Sequence, residues 1–219
     1  MNDQLILKFP KNNIYLKEDF YVSSGNQEAY KFISSWPRWI KRIVNIFGPS
    51  GSGKTHLASI LKSKTSALEV ESDALNDKIF FKFKINEALI IENLNEKISE
   101  NLLLSLWNVA LQDNKYLLIT STKPISAYKF KLPDLKSRAI SSVIIGINLP
   151  SDDLISVILA KNFSDKQIKV EKKHIDYIIK RIDRSYEKIS QFVSILDKYS
   201  LKKGNPFSLK LIKEVLKMI

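Results

Sequence analysis

Eight consecutive residues, Gly48-Pro49-Ser50-Gly51-Ser52-Gly53-Lys54-Thr55, meet the pattern Gly-x-x-x-x-Gly-Lys-Ser/Thr at every fixed position. That spacing serves the holding of phosphates. Glycines let backbone N–H groups come close to phosphate oxygens, and the N-terminus of a following helix adds partial positive charge. Lys54 then reaches the β- and γ-phosphates, and the Thr55 hydroxyl ligates Mg²⁺.

A second stretch, "IIENLN" (90–95), supplies the acid such a site needs. In phosphate-loop proteins an acid at the end of a neighbouring strand holds Mg²⁺. Glu92 fits, although it is one methylene longer than the usual Asp. The next position orients or deprotonates the attacking water, and here it is Asn93, an amide that accepts no proton near neutral pH. General-base help is worth ~10²–10⁴-fold. The expectation is nucleotide binding without brisk turnover, with Glu96 or another acid open as a substitute base.

These residues need strands and helices to hold them. "RIVNIFG" (42–48) reads as a buried strand leading into the loop, and "KTHLASILKS" (54–63) as the helix leaving it, with Leu57, Ile60 and Leu61 at helical spacing. Further apolar runs at 67–70, 88–92, 116–121 and 142–147 read as strands, and 26–35 and 100–113 as helices. The alternation predicts an α/β fold: a parallel five-stranded sheet flanked by helices over residues 13–150. Trp36, Trp39 and Trp107 are expected in core or helix–sheet contacts. After Pro150 the pattern becomes helical throughout, beginning with a Ser151 cap and acids in the first turn. Residues 151–219 are expected to form a small all-helical domain, and residues 1–12 an extended tail.

Composition sets bounds. Of 219 residues, 44% are hydrophobic and 26% charged, as in ordinary globular chains. No apolar run nears the ~20 residues that span a bilayer. No cysteine excludes thiolate metal sites and disulfides, and two histidines, His56 and His174, exclude a histidine-rich site. A cytoplasmic location, away from membranes, is the simplest reading. The net charge of +12 invites a nucleic-acid partner, but only five of 35 basic residues are arginine. A solvated lysine surface accounts for it, and His174 reads as part of that solvent-facing surface.

"GKTHL" (53–57), with His56 straight after the threonine, resembles the DnaA branch of the AAA+ ATPases. "FYVSSGNQEAY" (20–30) is similar to the segment that contacts adenine there, which implies Tyr21 and Val22 at the base. "YLLITSTKP" (116–124) resembles the first sensor strand. "LPDLKSRAI" (132–140) resembles the motif whose Ser-Arg pair carries an arginine finger, implying Arg138. "RIDRSYEKI" (181–189) resembles the second sensor motif, implying Arg184 at the phosphates. The motifs come in family order over roughly residues 13–219. They imply an AAA+ core with a helical lid, binding ADP or ATP with Mg²⁺.

Within the branch the resemblance is to Hda-like regulators of replication initiation, since no DNA-reading domain follows the lid. "QLILKF" (4–9) is similar to the hexapeptide with which such proteins bind the DNA polymerase sliding clamp. Gln4, Leu5, Leu7 and Phe9 would be its anchors; the alternative is an edge strand. The implied partners are the DnaA initiator, whose ATP hydrolysis Arg138 would stimulate in trans, and the clamp, through which DNA is contacted. Monomer and homodimer both stay open. A self-sufficient ATPase of the helicase-loader type competes with this reading, as does a DNA-binding module exploiting the basic surface.

Overall fold

The computed structural model describes residues 20–165, 168, 170–203 and 208–219. The clamp-binding expectation for Gln4, Leu5, Leu7 and Phe9 therefore lies outside the described residues.

Five parallel strands, β1 (Ile43–Phe47), β2 (Ala67–Glu71), β3 (Ala88–Leu94), β4 (Tyr116–Ser121) and β5 (Val143–Gly146), form a sheet in the order β2-β3-β4-β1-β5. Around it lie α1 (Gln27–Ser34), α2 (Lys54–Lys62), α3 (Ile79–Ile85), α4 (Glu100–Gln112) and α5 (Pro133–Ser141). The strands are apolar on both faces because helices cover both. Successive side chains alternate between two cores. Leu89, Ile91, Leu117 and Ile119 join Leu103, Leu106 and Trp107 of α4, whereas Val44, Ile46, Ile90 and Leu118 join Ile33 of α1 and Leu57 and Leu61 of α2. Trp39 packs in the second of these cores, between Phe32 and Tyr116.

Helices α3 and α5 are additional to those read from sequence. Pro133 sits in the first turn of α5, where its missing N–H does no harm, and Leu135 and Ala139 bury one face at i, i+4 spacing. The Glu100 carboxylate accepts from the Lys131 and Leu132 N–H groups, at 2.9 and 2.8 Å on the closer oxygen, and fixes the approach to α5.

Four further helices follow: α6 (Asp152–Asp165), α7 (Lys172–Ile179), α8 (Tyr186–Lys203) and α9 (Leu209–Leu216). Ser151 Oγ caps α6, accepting from the Leu154 N–H at 3.3 Å. These helices close on a separate core that includes Leu159, Phe163, Ile178, Phe192 and Leu196. Among the described residues, no helix is long and apolar enough to cross a membrane.

Candidate functional site

The loop between β1 and α2 lies at the C-terminal edge of the sheet, where parallel α/β folds bind ligands. Gly51 (φ 77°) and Gly53 (φ 92°) occupy left-handed backbone that a side chain would strain. Gly53 turns the chain directly into the first residue of α2. Lys54 follows, 7% exposed, and its Nζ donates to the Gly48 and Pro49 carbonyls, each at 2.8 Å. The loop therefore closes around its own lysine. Burial lowers the ammonium below its ordinary pKa, and the nearby Glu92 charge acts the other way.

Glu92, on β3, is 2% exposed. Its Oε2 accepts from Thr55 Oγ1 at 3.1 Å and Thr120 Oγ1 at 2.7 Å. Its Oε1 is buried without a hydrogen-bond partner. Burial pushes the carboxyl above the ordinary range; the two hydroxyls oppose this, and the charges on Glu69 and Glu71 add to it. A buried carboxylate oxygen without a partner, beside a threonine hydroxyl, is a donor set suited to a hard divalent cation.

Asn93 is shaped by an irregularity in β3. Register with β4 pairs Ala88 to Ile91 with Tyr116 to Ile119, then slips so that Leu94 faces Ser121. The extra residue is accommodated where Asn93 adopts φ 56°. Its N–H donates to Thr120 Oγ1 at 3.0 Å, and its Nδ2 to Glu71 Oε2, at the end of β2, at 3.0 Å. Glu96, the other acid considered from sequence, is instead salt-bridged to Lys123 at 2.6 Å.

A cavity of about 140 Å³ opens beside the loop, lined by Phe20, Tyr21, Asn26, Leu154, Ile158 and Tyr186 among others. Asn26 shapes its entrance: Oδ1 accepts from the Ser23 N–H at 2.8 Å and Nδ2 donates to the Tyr21 carbonyl at 3.0 Å. Val22 is half-buried in that turn, and His56 meets Phe20 edge-on at 5.1 Å. Tyr186 bridges loop and lid: its hydroxyl donates to the Asn148 carbonyl at 3.3 Å, and a Cβ built on Gly51 would lie 3.1 Å from its own Cβ. Burial raises its phenol to about 12. Arg184, which the resemblance implies at the phosphates, pairs with Asp152 at 2.9 Å.

Arg138 lies elsewhere. It lines a depression of about 370 Å³ with Lys41, Arg42, Trp107 and Leu111. Lys41 and Arg42 immediately precede β1, whereas the phosphate loop follows it. A five-residue strand separates the two ends by about 16 Å. Arg138 therefore cannot serve the loop of its own chain. Its Nη1 is enclosed without a hydrogen-bond partner, and it forms no ion pair among the described residues.

Sequence reading found the loop, Glu92 and Asn93 but missed Phe20, Glu71, Thr120 and Tyr186. Three of these lie in stretches that carried a signal, Phe20 in "FYVSSGNQEAY", Thr120 in "YLLITSTKP" and Tyr186 in "RIDRSYEKI", whereas Glu71 lies in none.

No protein-family model matches the chain. A curated relative, the chromosomal replication initiator protein DnaA of Campylobacter jejuni, is 26% identical over 234 aligned residues, covering 94% of this chain and 53% of the relative. The chain thus spans about half the length of the curated DnaA relatives it matches. Domain III of DnaA from Thermotoga maritima superposes with a TM-score of 0.76 at 20% identity, covering 95% of this chain and 98% of that one. AMPPCP-bound DnaA from Aquifex aeolicus gives a TM-score of 0.69 at 17% identity, covering 84% of this chain and 65% of that one.

Proposed function

We propose that this chain, a DnaA-related protein with an AAA+ fold, holds an adenine nucleotide with Mg²⁺ and acts as an Hda-like regulator of replication initiation. The observation that carries nucleotide binding is the convergence of Lys54, Thr55 and Glu92 on one loop, with the Phe20–Tyr21–Tyr186 cavity beside it. The AMPPCP bound to a DnaA of the same fold supports it.

In this reading the loop N–H groups and Lys54 bind the phosphates, and Lys54 exchanges two carbonyl partners for phosphate oxygens. Thr55 and Glu92 would hold the ion, which supplies neutralisation of phosphate charge when bound. Thr120 keeps Glu92 aimed at that position. Tyr21 and Tyr186 would sandwich the base.

Regulation would run through Arg138. Its distance from the chain's own loop and its lack of an ion pair favour a target on a neighbouring subunit. A fixed charge with a donor fork suits the phosphate of a DnaA-bound ATP. The clamp hexapeptide would bring the protein to newly replicated DNA. The test is to mix the protein with DnaA-ATP and DNA-loaded clamp and follow ATP hydrolysis. Stimulation beyond DnaA alone is expected, and none would defeat the regulatory reading.

A second reading, a self-sufficient ATPase of the helicase-loader type, has one observation in its favour: the Glu71 carboxylate beside Asn93.

A further inference from the structure

The acid that follows a metal-holding residue on its strand usually activates the attacking water, and this chain has an amide there. The structure supplies a carboxylate by another route. β2 and β3 pair in register so that Glu71 stands opposite Glu92, and both therefore face the same side of the sheet. The left-handed turn at Asn93 directs its carboxamide onto Glu71. Thr120 joins the arrangement, since one hydroxyl donates to Glu92 and accepts from the Asn93 N–H.

Two other acids at this edge are ion-paired, Glu69 with Lys62 at 2.8 Å and Glu96 with Lys123 at 2.6 Å. Asp73, like Glu71, accepts from one amide, but that amide is Asn95, beyond the end of β3, at 2.8 Å, not the residue next to Glu92. Glu92 faces the metal-side hydroxyl. Glu71 is exposed, carries no ion pair among the described residues, and is oriented by one neutral donor.

We propose that Glu71 is the general base for the water that attacks the γ-phosphate, with Asn93 as its positioning residue. Work usually done by two adjacent residues of one strand is here divided between neighbouring strands. The proposal rests on the Mg²⁺-nucleotide reading of the site. In the step, the water oxygen bonds to the γ-phosphorus while the bond from that phosphorus to the β,γ-bridging oxygen breaks. The water proton passes to a Glu71 oxygen, the nucleoside diphosphate leaves with the bond's electron pair, and inorganic phosphate and the proton are released to solvent.

The test uses the full chain under single-turnover conditions with Mg²⁺-ATP, with ATP affinity measured in parallel by calorimetry. Glu71→Gln keeps an acceptor for Asn93 but removes the base, so phosphate release should fall by about 10²-fold with ATP affinity unchanged. Asn93→Ala removes only the tether and should lose less. The double variant Glu71→Gln with Asn93→Asp inverts donor and acceptor across the same hydrogen bond and should recover much of the rate. The base role is overturned by any of four results: no phosphate release from wild type that binds ATP, a wild-type rate in Glu71→Gln, a greater loss in Asn93→Ala than in Glu71→Gln, or no recovery in the double variant. Failure of wild type to bind ATP would overturn the underlying nucleotide reading instead.

Discussion

Replacing Glu92 with Gln should stabilise the protein without ligand and weaken what Mg²⁺-nucleotide adds to it. Glu92 is 2% exposed, and its Oε1 has no partner. Its carboxyl is held above the ordinary value, chiefly by burial. The unfolded chain releases that proton near pH ~4.3, while the folded chain keeps it to higher pH. Through that window the unfolded state binds fewer protons, so stability falls as pH rises and stays lower beyond it. A buried polar group left without a partner costs roughly 1–3 kcal/mol, and more when charged. Gln keeps the size and still accepts from Thr55 and Thr120, but carries no charge. A gain on the order of 1–2 kcal/mol is expected near neutral pH, at ~2–4 °C in Tm per kcal/mol for a chain of this length. The gain should shrink on acidification toward the unfolded pKa. Nucleotide narrows the difference: wild type at 100 times Kd gains about 2.7 kcal/mol by linkage, and the variant gains less because one metal oxygen is gone. Thermal unfolding with and without Mg²⁺-ADP reads both effects. A variant less stable than wild type without ligand, or one that gains equally from Mg²⁺-ADP, would refute the reasoning.

Three further outcomes are expected. Steady-state ATP turnover by the isolated protein should stay below about 1 s⁻¹, the low end for phosphoryl-transfer enzymes, because its proposed base is held from a neighbouring strand; a faster rate measured by phosphate release contradicts this. Arg138→Ala should leave folding and the protein's own nucleotide affinity unchanged yet remove most stimulation of DnaA-ATP hydrolysis, and Arg138→Lys should fail nearly as badly, lacking the planar fork; full stimulation by the Ala variant ends the finger role. Leu7→Ala with Phe9→Ala should abolish clamp pull-down, since a short peptide binds through a few apolar anchors, while nucleotide binding persists; undiminished capture argues for an edge strand.

The phosphate loop was legible because its chemistry is local: glycine spacing, lysine and threonine lie within eight residues. The strands were legible as short apolar runs, though 88–92 proved two residues short of β3 because polar Asn93 sits inside its bulge. Helix α3 escaped notice because "IFFKFKI" buries only Ile79 and Phe83, leaving Phe81 and Ile85 outside and blurring the period. Glu71 was hidden for a different reason. Its partner is set by strand register and by one residue's φ, neither of which a linear pattern encodes. The Arg184–Asp152 pair likewise joins residues 32 apart through lid packing.

Lys54 resting on the carbonyls of Gly48 and Pro49 has a consequence for kinetics. A glycine-rich loop without internal partners would be a floppy tether, and each ligand encounter would wait for it to organise. Here the ammonium is a latch that keeps the amide cradle assembled, so the ligand meets a pre-organised surface. Capture then requires only that one ammonium change partners, a side-chain motion rather than a loop rearrangement. Association should accordingly follow ordinary diffusional encounter with a shallow temperature dependence, and differences in affinity among nucleotides should reside in how slowly each one leaves.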